Sequence, residues 1–249
     1  MASNRKILSA RRSYEFSMDG IRLSVLSLPH VEEVIKQAFG FRVSTIGTPQ
    51  ATFGVVPNTL PPGLVFNLGA WPSGTHIVPI RFMHFEQRRI VIDVVDSSSA
   101  IDGVYQHLRE ILGAMEAPDG GPAIGKHNNF FDYTEISAEY VFGLENLLSE
   151  AMFASTAEML TAAGLAGDKV IVPTVSLQFQ APSEEYQGLS ADNTLIQIGV
   201  RAGTRPRERV YFSAAPFDSD THIAYLHRLE KASGDGRQLK QAKRSSRTK

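Results

Sequence analysis

The chain has 249 residues, enough to bury one large core or two small ones. It contains no cysteine, which excludes disulfides, thiolate metal sites and a cysteine nucleophile. No apolar run approaches the roughly 18 residues that span a bilayer, the segment Met1–Ser9 lacks the apolar core of a secretion signal, and no Asn-x-Ser/Thr sequon occurs, so a cytoplasmic protein without membrane contact is expected.

In chain order, Tyr14–Leu26 reads as a hairpin, with Asp19-Gly20 as a two-residue turn between β-prone runs. Pro29–Phe39 reads as a helix. Val31, Val34, Ile35, Ala38 and Phe39 recur at helical spacing, Pro29 suits the first turn, and Gly40 suits the cap. Short strands are expected near 41–47, 51–57 and 63–70, and longer ones at His76–Phe85 and Arg88–Val95. The last is almost continuously apolar, the pattern of a strand covered on both faces. Ser97–Ser99 can cap a helix whose stripe is Ile101, Val104, Tyr105, Leu108, Ile111, Leu112 and Met115.

Residues 116–130, with Pro118, Gly120, Gly121, Pro122 and Gly125, read as a linker. After it come a strand at Phe131–Phe142 and a helix at Leu144–Ala163, whose buried stripe would be Leu144, Leu147, Leu148, Ala151, Met152, Met159, Leu160 and Ala163. Strands near 169–180, 193–202 and 208–215 precede a last helix with Ile223, Leu226 and Leu229 on one side. The net charge of −1 conceals a basic end. Lys231, Arg237, Lys240, Lys243, Arg244, Arg247 and Lys249 face only Asp235, and residues 233–249 are expected to be a disordered tail. The tail has no aromatic side chain to stack on a base.

The expected fold class is α+β: two similar β-α-β(3-4)-α halves, 1–115 and 131–232, with largely antiparallel sheets packed on helices. A faint echo supports duplication, pairing Arg89 with Arg209, Tyr105 with Tyr225, His107 with His227 and Glu110 with Glu230. This order of elements resembles that of the saddle-shaped TATA-binding domain. No motif is shared, and element order alone implies no DNA binding.

Gly120–His127 has the G-x4-G-K spacing of a phosphate-binding loop, but His127 stands where Ser or Thr would hold magnesium, and Pro122 removes a backbone donor. Asp93 and Asp96, at the end of the apolar strand before three serines, form an incomplete metal-adhesion pattern ending in Ala100. His76 and His84 lie too far apart along one strand to share a metal. His107 and Glu110, and His227 and Glu230, read as surface pairs. No nucleophile elbow or zinc-protease motif is present. No catalytic residue, metal or cofactor is therefore assigned.

The candidate contact residues are Trp71, set among turn residues, and two arginine groups: Arg81, Arg88 and Arg89 around one hairpin, and Arg201, Arg205, Arg207 and Arg209 around another. The expected function is that of a non-catalytic binding or accessory protein acting through a protein partner or self-association. The alternatives are a nucleic-acid-associated protein using these arginines and the basic tail, and a metal-dependent hydrolase centred on Asp93 and Asp96.

Overall fold

The computed structural model describes residues 3–47, 63–115, 121–140, 143–148, 150–163, 172–178 and 194–246. In chain order, β1 (Ser3–Phe16) leads into the short helix α1 (Leu23–Leu26), α2 (Pro29–Phe39), β2 (Val43–Gly47), β3 (Gly63–Ser73), β4 (His76–Phe85), β5 (Arg89–Val94) and α3 (Ser98–Gly113). Then come β6 (His127–Glu139), α4 (Glu150–Ala162), β7 (Thr174–Gln178), β8 (Leu195–Val200), β9 (Val210–Ala215) and α5 (Ser219–Ser246).

The fold is mixed α+β and dominated by its sheet. Nine strands form a single sheet in the order β2-β3-β4-β5-β1-β6-β9-β8-β7. Every neighbouring pair is antiparallel. The long strands β1 and β6 pair along most of their length and join what would otherwise be two sheets. Outward from this central pair lie β5, β4, β3 and β2 on one side and β9, β8 and β7 on the other.

One row crosses the centre: Val94 opposes Ala10, Ala10 opposes Thr134, and Thr134 opposes Ala215. Four residues beyond Val94 lies Ser98, at the start of α3. Four beyond Ala215 lies Ser219, at the start of α5. The backbone N–H of Ser98 donates to Oγ of Ser219 at 2.9 Å, and the N–H of Ser219 donates to Oγ of Ser98 at 3.0 Å. Each serine thus satisfies an orphan donor of the other's helix.

The core lies between the sheet and its helices. Ala10, Tyr14 and Phe16 of β1 and Ile90, Ile92 and Val94 of β5 pack with Ile101, Val104, Tyr105, Leu108 and Leu112 of α3. Helix α2 adds Val31, Ile35 and Phe39, and ends as its sequence predicts, with Gly40 in the left-handed region at φ 58°. A smaller cluster in the second half joins Ile136, Ala138, Ile198 and Tyr211 to Leu226 of α5. No helix among the described residues is long and apolar enough to cross a membrane.

Several local expectations change. The hairpin around Asp19-Gly20 has no second strand: Ile21 makes an isolated bridge to Ile124, and α1 begins at Leu23. Ile21, Val25 and Leu26 are all buried, and a helical turn lets the last two face the core together. Strand β6 starts at His127, inside the segment expected as linker. Ala123 and Ile124 of that segment are buried in the first-half core, tied by the Arg22 N–H to the Ala123 carbonyl. The helix expected from Leu144 begins with a 3-10 turn at Leu144–Leu147, and α4 starts at Glu150. Met159, expected in its buried stripe, is 69% exposed. Helix α5 runs from Ser219 to Ser246, while Arg247 and Lys249 lie outside the described residues. The strand expected at 51–57 also lies outside them.

Candidate functional site

Strand alternation sends Ala10, Arg12 and Tyr14 toward the helices and Ser9, Arg11 and Ser13 to the opposite face. On that opposite face, at the middle of the sheet, an ionic cluster spans four strands. Asp93 of β5 is fully buried and accepts hydrogen bonds from Nε of Arg11 at 2.9 Å and from Nη2 of Arg81 at 2.7 Å. Arg81 also lies 3.7 Å from Glu135 of β6, which accepts a bond from the Ser9 hydroxyl at 2.8 Å. The Arg11 guanidinium sits over the rings of Phe82 and Tyr133.

A bulge creates this cluster. Ile80 opposes Val94, but Phe82 opposes Asp93, so Arg81 is the extra residue and both Arg81 and Phe82 face away from the helices. Burial opposes the charge of Arg81, yet its hydrogen bonds to Asp93 and the attraction of Asp93 and Glu135 raise its pKa. Burial raises that of Glu135, against the pull of Arg81. Two guanidiniums on one carboxylate repel a further cation, which argues against a metal at Asp93. Among the described residues no group of acidic and histidine side chains is arranged to hold a metal. Asp96 accepts from the Ser97 N–H at 2.6 Å and lies 3.5 Å from His76, as a turn residue does.

The other expected contact residues are dispersed. Trp71 packs against the core, over Gly103 of α3, where an added Cβ would stand 2.3 Å from the indole ring. Arg88 is exposed at the β4–β5 tip. Arg89 beside it pairs with Glu86 at 3.2 Å and with Glu15 at 3.7 Å. Arg201, Arg205 and Arg207 are exposed around the β8–β9 tip, and Arg209 is half-buried there in the left-handed region at φ 55°. The two tips lie at opposite ends of the central strands. Arg89 opposes Glu15 near the end of β1, whereas the carbonyl of Arg209 accepts from Tyr140, just past the Ser3↔Glu139 pair. One link joins the groups: Nη1 of Arg201 lies 3.4 Å from Oγ of Ser137, on the same strand face as Glu135, which Arg81 approaches.

Three histidines have surroundings that their positions in the sequence do not reveal. His222 of α5 is fully buried. The Thr134 hydroxyl donates to the Phe217 carbonyl at 3.0 Å, so it accepts from Nδ1–H of His222 at 2.7 Å, which leaves Nε2 to accept from Ser213 at 2.8 Å. Burial holds this neutral imidazole's pKa down at about 4.

His84 is also fully buried, and neither of its ring nitrogens makes a hydrogen bond among the described residues. Burial and then Arg89 push its pKa down to about 4. Glu86, 3.3 Å away, is pushed up to about 7 by burial. His127 is half-buried and meets the Tyr105 hydroxyl at 3.0 Å, beside the stacked rings of Tyr14 and Tyr105.

The outer strands differ in protection. Ser44 of β2 bonds to Glu32 of α2, and Arg42 adjoins it, so charge guards that edge. Strand β7, Thr-Val-Ser-Leu-Gln, carries no charge and no proline and pairs only with β8 among the described strands. Thr174, Ser176, Leu177 and Gln178 are exposed, Leu177 by 54%. No protein-family model matches the chain, and no curated protein sequence matches it.

Proposed function

We propose that this protein works by binding rather than catalysis, that it is built from two like halves, and that it holds an extended segment of a protein partner along the edge of β7 that no other described strand covers. The observation that carries the reading is that uncharged, exposed edge. An edge strand left unpaired among the described residues offers a row of backbone donors and acceptors to a further strand.

The like-halves reading rests on the strand order, the central row and the reciprocal Ser98–Ser219 bonds. Buried positions also correspond at the spacing of that serine pair, 121 residues: Ile101 with His222, Tyr105 with Leu226, and Leu112 with Ser233. The echo pairing Tyr105 with Tyr225 is one residue out of this register, so it does not contribute.

The first half supplies five strands and the second four among the described residues. An added strand beside β7 would take the place that β2 occupies beside β3. One partner strand makes a sheet of about ten strands, the ordinary upper range for a twisted open sheet, whereas edge pairing with a second copy would nearly double that number.

A photo-crosslinking residue at Leu177 tests the proposal in cells. The expected product is a heterologous adduct mapped to an extended segment of the other protein, lost in Ser176→Pro, which removes a backbone donor from β7. No adduct, an adduct only to a second copy, or an adduct unchanged in Ser176→Pro would overturn it.

A further inference from the structure

Strand β7 presents two unlike faces. Val175 packs against the second-half core that includes Leu226 of α5, so its side chain lies on the helix side of the sheet. A row of opposed residues runs there from the centre outward. Ile136 opposes Ser213, Ser213 opposes Ile198, and Ile198 opposes Val175. Leu177, two residues on, shares that face and opposes Ile196. Thr174, Ser176 and Gln178 lie on the other face. The strand is therefore apolar on the helix side and carries hydroxyl and amide groups on the other.

Its helix side is unevenly covered. Counting outward from the central pair, β7 is the third strand on its side, as β3 is on the other. The helix-side residues of β3, Leu64 and Phe66, are 4% and 0% exposed, and β2 flanks that strand along Gly63–Asn67. In β7, whose outer side no described strand flanks, Val175 is half-buried and Leu177 is 54% exposed. Apolar surface is thus left at the rim of the core, on the side where a further strand would stand.

We infer that the segment held by β7 is an alternating strand, apolar on the helix side next to Val175 and Leu177 and carrying hydroxyl or amide side chains on the other. This rests on the reading of β7 as the partner edge and adds the chemistry of the partner. Successive residues of a strand face opposite ways, so apolar residues at every second position meet Val175 and Leu177, with directly opposite side chains about 5 Å apart. Covering that apolar surface favours the complex. Threonine, serine or asparagine beside Thr174, Ser176 and Gln178 keeps polar cross-strand contacts on the other face. Strand β7 has no charged residue, so an acidic or basic segment finds no counter-charge on it. A continuously apolar segment would set half of its side chains against the polar face.

The test is selection of random ten-residue peptides displayed on phage against the full chain, with sequencing of the bound clones. Clones with apolar residues at i, i+2 and i+4 and polar residues between should be strongly enriched over their share of the library. For a synthetic copy of such a clone, Leu177→Thr, which keeps a strand-forming residue, should weaken binding about fivefold or more. Ile77→Thr, at an exposed apolar site in the other half, should change binding less than about twofold, and so should raising salt from 50 to 500 mM. Ser176→Pro should abolish binding. Circular dichroism verifies that each variant folds. Clones that are lost in Ser176→Pro but lack the alternating pattern, or whose affinity ignores Leu177→Thr, would overturn the inference while leaving the edge reading standing. No bound clones, or clones indifferent to Ser176→Pro, would overturn both.

Discussion

A buried imidazole such as His222 is held neutral because burial denies the charged form its hydration, while the neutral ring keeps both nitrogens bonded, to Thr134 and Ser213. His222 and His84 both have folded pKa values of about 4, below the ordinary 6.5. As pH falls the unfolded chain therefore takes up protons first, so stability present at neutral pH is lost between about 6.5 and about 4. Each histidine contributes on the order of 3 kcal/mol to that loss. Glu86 acts oppositely. Its folded pKa of about 7 exceeds the ordinary 4.5, so its contribution is present below 4.5 and lost as pH rises through 7. Glu135 and Asp132, whose pKa values burial also raises, act in the same sense as Glu86. These groups are common to both proteins, so from pH 7 to 4.5 the urea midpoint should drop further, or rise less, in the parent than in His222→Gln. Equal slopes would show that His222 does not titrate as its burial implies. Sequence could not mark this residue, because its partners Thr134 and Ser213 come from other elements.

At the scale of elements, the bulge in β4 decides where charge goes. Regular alternation would place Phe82 in the core with Ile80; the extra residue instead puts Met83 there and turns Arg81 toward Asp93. Reading His76 and His84 as one face assumed that unbroken alternation, which is why the sequence could not reveal the cluster. The near-continuous apolar run of β5 was legible, and so was the single charge within it that needed a partner. Asp93→Asn should cost roughly 3–5 kcal/mol, because it leaves two half-buried guanidiniums facing a neutral amide. Arg11→Met should cost clearly less, since Arg81 still compensates the carboxylate. Urea denaturation of the two variants tests the order, and a larger loss in Arg11→Met would contradict it.

For the whole molecule, the question is what makes two sequences without appreciable likeness behave as one body. The order of elements was readable from hydrophobic periodicity, but the fusion into one sheet was not, because the pairing of β1 with β6 depends on strands more than a hundred residues apart. Helices α3 and α5 meet where they exchange backbone-to-hydroxyl bonds at Ser98 and Ser219, both buried. Removing either hydroxyl strands the other serine's N–H, a loss of about 1–2 kcal/mol. If the two sites are equivalent, Ser98→Ala and Ser219→Ala should cost the same within about 0.5 kcal/mol. If the exchange also holds the two helix starts together, losing one bond loosens the other, and the double variant should cost less than the two singles combined by about 0.5 kcal/mol or more. A double-mutant cycle in urea measures both quantities. Strongly unequal singles would mean that the halves differ at their junction, and strict additivity would mean that the β1–β6 pairing alone holds the helices in register.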